Sequence, residues 1–342
     1  MHVVASKAVD AALAARTRFC VLAGGVALAA TAVAVAAPVP LAMAVLFLFA
    51  GPHNWIEVRY MLARLPSRAG PLASFMLLGG TGVLLLALGT TLMPTVTRPL
   101  PIRWLGGASA LTLAAIAWNL TLVAWLATML IVRARQKPVR DWWWVTPCAL
   151  AIAALTCLQP LAWSLFLVYL HPFMAFWILD RELRARRREL RPVLHALIAA
   201  VPVLIAVLWW CLRDAPPLPA MGQDQLTMRI LNTAGVGMLT AVPARFLVSS
   251  HVLLETLHYA VWLIAIPALA LREAPWRITR VPLAVRSIAW RRITQGALAL
   301  GGCVVVALWA GFSRDYVATR DLYFTIAIVH VLAEAPLLIR LL

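Results

Sequence analysis

Acidic charge is what this chain has least of. Only 13 of its 342 residues are Asp or Glu, against 30 Lys and Arg, and all charged residues together make up 13%. A soluble domain carries about 25%, and no hydrophilic stretch here is long enough to fold as a separate soluble domain. Several chemistry-bearing motifs are missing too. There is no H-E-x-x-H, which argues against a zincin-type intramembrane protease. There is no P-loop and no G-x-S-x-G nucleophile elbow. The five cysteines (Cys20, Cys148, Cys157, Cys211 and Cys303) form no C-x-x-C pair and no C-x-x-C-H haem-attachment site. Most lie within apolar runs, so they read as small core residues rather than as a disulfide framework or zinc knuckle.

What is abundant is apolar surface, at 63% of residues. Long apolar runs of about 20 residues read as transmembrane helices. The expected fold is an all-α, polytopic integral membrane helix bundle of about ten transmembrane helices. It forms a single membrane-embedded domain over 1–342, with 1–18 as a cytoplasmic N-terminal segment. The runs fall near 19–37, 40–64, 71–93, 104–132, 143–158, 160–179, 193–212, 247–271, 287–311 and 321–341, with Pro38, Pro40, Pro66, Pro71 and Gln159-Pro160 marking breaks. Ala34-Val35-Ala36 resembles a signal-peptide cleavage site, but the region before it is long for a signal peptide, so a retained first helix is expected. Segment 226–244 is apolar yet interrupted by Gly235, Gly237 and Pro243. It reads as re-entrant or interfacial, because irregular backbone at membrane depth is tolerated where protein or a cavity surrounds it.

The net charge of +17 invites a nucleic-acid reading. The placement of the arginines rejects it, because they sit in short loops between apolar runs. The N-terminus, Arg59–Arg68, Arg133–Arg140, Arg181–Arg191 and Arg272–Arg292 are the basic stretches. With ten spans the positive-inside rule puts all of them, and both termini, on the inner face of a bacterial-type cytoplasmic membrane. The dense run Asp180–Arg191 then touches anionic lipid headgroups.

One spacing recurs: His53-Asn-Trp-Ile-Glu57, His251-Val-Leu-Leu-Glu255 and His330-Val-Leu-Ala-Glu334. A helix sets residues i and i+4 on one face, so each copy offers an imidazole beside a carboxylate. From the outer ends of their spans, His53, His171, His258 and His330 lie at one depth, roughly 15–20 Å in at 1.5 Å per residue. That is near the middle of a hydrocarbon core about 30 Å thick. His251, Glu255 and His258 form one stripe, and Tyr259 stands beside His258 as a proton or hydrogen-bond donor. Ionisable groups at such depth are costly and tend to face the bundle interior. The expected metal ligands are therefore His53, Glu57, His171, His251, Glu255, His258, His330 and Glu334, with Glu255 and Tyr259 as catalytic groups.

Mixed imidazole and carboxylate donors suit iron, manganese or zinc, and helix bundles build di-iron sites from them. The expectation is a mononuclear or dinuclear iron centre oxidising a lipophilic small molecule, with the bilayer as the main partner. Zinc and haem b are the alternatives for the cofactor, and no redox partner is evident. The closely spaced His boxes of membrane fatty-acid desaturases are absent. The dispersed intramembrane histidines loosely resemble the Brp/Blh-type carotene dioxygenases, which are polytopic membrane proteins with a His-ligated iron. That likeness covers no contiguous motif, and the Glu partners depart from a His-only iron site. Rival readings are a b-type haem redox carrier and an ion- or proton-coupled transporter using the His/Glu pairs.

Overall fold

Where the apolar runs meet proline, the helices end. The computed structural model describes residues 2–66, 68, 70–97, 109–137, 142–216, 218, 224–269, 271 and 277–341, with only the backbone at 2–9, 94 and 280. The start of the expected span at 104–132 and the loop stretches 98–103, 138–140, 219–223 and 272–276 lie outside the described residues. The long helices are α1 (His2–Ala36), α2 (Pro38–Arg64), α3 (Ala73–Thr97), α4 (Ala110–Gln136), α6 (Pro160–Arg186) and α7 (Arg191–Leu212). Between α4 and α6 lies α5 (Val145–Leu158), and after α7 comes the short α8 (Gln225–Thr233). Helix α9 (Ala244–Ala260) runs through a π-helical turn, Val261–Ala265, into α10 (Ile266–Leu269). Helices α11 (Pro282–Arg286), α12 (Ile288–Arg314) and α13 (Tyr316–Leu341) complete the chain.

The fold is all-α. Among the described residues, nine helices are long and apolar enough to cross a membrane. The tenth expected run is α5, only 14 residues, because Gln159 leaves the helical region just before Pro160 and so ends it. The segment read as re-entrant or interfacial is the nine-residue α8 followed by turns up to Pro243. Its start is capped by Asp224, whose carboxylate accepts from the Thr227 amide at 2.7 Å. Those hydrogen bonds from Thr227 hold the carboxyl below the ordinary aspartate range.

The chain forms two compact units. The first comprises Met1–Tyr60, Tyr169–Arg277 and Leu298–Ala310. Within it α1 packs on α7 and α9, and α8 packs on α9. The Ser249 hydroxyl donates to the Ala34 carbonyl at 2.8 Å, tying α9 to α1. Leu218, Ile230, Leu231, Ala234, Leu247 and Val248 form a buried cluster that seats α8. Gly51 lets α2 approach α12 closely, since a Cβ there would stand 3.3 Å from the Val305 Cα. One turn along, the Trp55 indole donates to the Leu298 carbonyl at 2.9 Å.

The second unit comprises Met61–Val168, Ile278–Ala297 and Gly311–Leu342. Its centre is α3, α4 and α13, packed around Phe75, Leu86, Leu122, Trp125, Met129, Leu332 and Ile339. Two tryptophans of α4 reach across to α3 carbonyls, Trp118 to Leu86 at 2.8 Å and Trp125 to Leu78 at 3.0 Å. Gly82 and Gly89 of α3 make room for these indoles.

Large apolar side chains such as Leu22, Leu77, Leu158 and Trp210 stand at least 70% exposed. On helices of this length such faces are made for lipid contact. The cysteines correct an expectation here, because all five are exposed rather than packed in a core. In a membrane helix the lipid face is as apolar as the core face, so an apolar run does not tell the two apart.

Candidate metal centre

The helices that carry the polar residues are also the irregular ones. Pro52 precedes His53 inside α2, Pro172 follows His171 inside α6, and the π turn begins three residues after His258. A proline removes one rung of the helix ladder, and π turns are common at functional positions. In the π turn the Ile266 amide bonds back to the Val261 carbonyl.

Within the first unit three imidazoles meet. The His258 ring lies 5.4 Å from the His53 ring and 4.6 Å from the His171 ring, centre to centre. His53 and His258 are buried, at 1% and 2% exposure, and His171 is half-buried. His53 Nδ1 lies 2.8 Å from the Ala50 carbonyl. A carbonyl only accepts, so Nδ1 carries the proton and Nε2 carries the lone pair. Histidines that bind metals commonly hold their second ring N–H in this way. Glu57, one turn on, is fully buried and offers a carboxylate oxygen within 4.8 Å of a His53 ring nitrogen.

A second polar run joins this group along α9. The Tyr259 ring stands 4.6 Å from the His53 ring and 5.7 Å from the His258 ring. Its hydroxyl donates to Glu255 Oε1 at 3.1 Å. Glu255 Oε2 is 4.0 Å from His251 Nδ1, and the His251 ring meets Tyr169 edge-on at 5.8 Å. The Tyr169 hydroxyl lies 3.1 and 3.2 Å from the carbonyls of Ala234 and Leu247. His251 and Glu255 thus belong to a string that leads into the imidazole group through Tyr259.

His330 and Glu334 stand one turn apart on α13 in the second unit, His330 half-buried and Glu334 fully buried. As on α2 and α6, a proline lies close by, here Pro336.

Other polar contacts of the first unit escaped sequence reasoning. The buried Tyr60 donates its hydroxyl to Glu182 at 2.7 Å, and Trp262 of the π turn packs edge-on against Tyr60 at 5.6 Å. Tyr60 lies three residues beyond Glu57, the one available signal. Glu182 lay hidden in a basic run. Asp180 of the same run accepts from Arg191 at 2.8 and 3.0 Å and from His195 Nε2 at 2.8 Å. It braces the start of α7, and His195, to which the sequence assigned no role, is its partner. Arg59 lies over the Trp55 indole at 4.6 Å.

Compared with known protein families, with curated proteins and with solved structures, the chain matches none.

Proposed function

We propose that the first unit binds a non-haem metal ion, iron in the functional protein, through His258 with His53, His171 and Glu57, and that the protein oxidises a lipophilic substrate there with dioxygen as the electron acceptor. The carrying observation is His258 flanked by the His53 and His171 rings from two other helices. With metal–nitrogen bonds of about 2 Å, two imidazoles side by side on one ion have centres about 4.5–5.5 Å apart. The measured separations of 4.6 and 5.4 Å fall in that range. Axial imidazoles on opposite faces of a haem need about 6 Å or more by the same bond lengths. Both pairs are tighter than that, which favours a non-haem ion over haem b.

The donor set fits. The His53 tautomer presents Nε2, and imidazole with carboxylate suits iron and also zinc. Bound iron would supply the redox chemistry. The chain's own residues do the rest. His53, Glu57 and His258 are themselves buried, which keeps bulk water from the site. Tyr259 holds a proton at its hydroxyl, and Glu255 accepts from it. A substrate able to reach such a site from the bilayer is apolar.

The test is elemental analysis of detergent-purified protein, with His258→Ala and His53→Ala compared at matched folding by circular dichroism. Stoichiometric metal in the parent, falling at least tenfold in His258→Ala, is the expected result. Equal metal in parent and variants would end this reading. A second reading draws on the string His251–Glu255–Tyr259, which suits a proton path in a coupled transporter. Chelated, metal-free protein that still moves protons across vesicle membranes would favour it.

A further inference from the structure

Away from the histidines, the second unit gathers three arginines at the C-terminal ends of three spanning helices. Arg64 ends α2, Arg133 lies in the last turn of α4 and Arg340 in the last turn of α13. Arg133 Nη2 donates to the Arg340 carbonyl at 2.9 Å, and Arg340 Nη1 donates to the Arg64 carbonyl at 2.5 Å. These two bonds link the three helix ends and place them at one membrane face. The guanidinium groups of Arg133 and Arg64 are close enough to repel that of Arg340.

Arg133 is only 8% exposed, and its Nε is buried with no hydrogen-bond partner. Among the described residues no carboxylate pairs with Arg133 or Arg340. The helix ends offset part of this charge, since each C-terminus carries about half a negative charge. The Arg133 and Arg340 guanidinium groups alone still outweigh the two helix ends beside them. Like charges gathered in a partly buried place call for a counter-charge. Planar guanidinium forks match the oxygens of phosphate, and the end of a spanning helix is the depth of the lipid headgroups. Basic pockets between transmembrane helices bind such headgroups.

We propose that Arg64, Arg133 and Arg340 form a binding site for a phosphate-type oxyanion, which a bilayer supplies as the headgroup of an anionic lipid. The site is independent of the metal centre and of any reaction there.

Native mass spectrometry of the full chain in a neutral detergent tests it, with phosphatidylglycerol, phosphatidylcholine and inorganic phosphate added in separate arms. Phosphatidylglycerol should be retained at least tenfold better than phosphatidylcholine at equal concentration. Arg133→Gln should lose most of that preference and Arg133→Lys less. Where Arg133→Gln does not fold, Arg340→Gln, at a half-buried position, replaces it. Phosphate that binds alone and displaces the lipid identifies a free oxyanion as the ligand. Lipid retention unaffected by phosphate identifies the headgroup, and either result supports the site. Equal retention of both lipids with no phosphate bound would overturn it. So would an undiminished preference for phosphatidylglycerol in a folded glutamine variant.

Discussion

Tyr259 does two things with one side chain. Its ring packs 4.6 Å from His53, and its hydroxyl is spent on Glu255. Tyr259→Phe separates the two, because it keeps the ring and removes the bond. A hydrogen bond of this kind is worth about 0.5–1.5 kcal/mol net, and leaving the half-buried Glu255 one donor short costs in the same direction. The variant should therefore be less stable by an amount of that size, seen as a lower unfolding temperature, while holding as much metal as the parent. Loss of metal in Tyr259→Phe would show that the tyrosine positions the ligands rather than serving the proton string. At this level the sequence was partly legible. The spacing of His53 to Glu57 and of His251 to Glu255 put each pair on one helix face, as found. The bonds from Tyr60 to Glu182 and from Asp180 to His195 join residues far apart along the chain, and no local pattern announces them.

Helix α3 meets α4 through small residues, and that contact can be tested directly. A Cβ on Gly82 would overlap the Trp125 indole. That ring is 6% exposed and bonded to the Leu78 carbonyl, so it has little room to move. Gly82→Ala should cost about 1–3 kcal/mol, as overpacked cores do. Gly80→Ala meets nothing within 4 Å and should be neutral or slightly stabilising, since alanine favours helix over glycine. Thermal unfolding in detergent, run side by side, checks the pair, and equal melting temperatures would refute the close approach. The spans themselves were readable because proline and polar residues bound each apolar run. The end of the short α5 at Gln159-Pro160 was readable in the same way. The π turn after His258 was not, because it depends on which backbone hydrogen bonds form, and apolar composition is silent about that.

Taken whole, the molecule turns much of its apolar surface outward. The five exposed cysteines report on that surface. In intact bilayers Cys157, Cys211 and Cys303, on apolar helices, should resist a charged maleimide and react only after the membrane is dissolved. Rapid labelling of all three before solubilisation would contradict a lipid-facing position. Composition foretold the membrane, whereas the division into two units was hidden, because each is stitched from three separated stretches. That stitching bears on biosynthesis. The first unit needs Leu298–Ala310 and the second needs the chain through Leu342. A ribosome that has delivered the chain only through α11 has therefore finished neither. The newborn polypeptide must wait in the membrane with its partial bundles open until the last two long helices arrive, and a premature stop before them leaves no half-molecule able to stand in for the complete one.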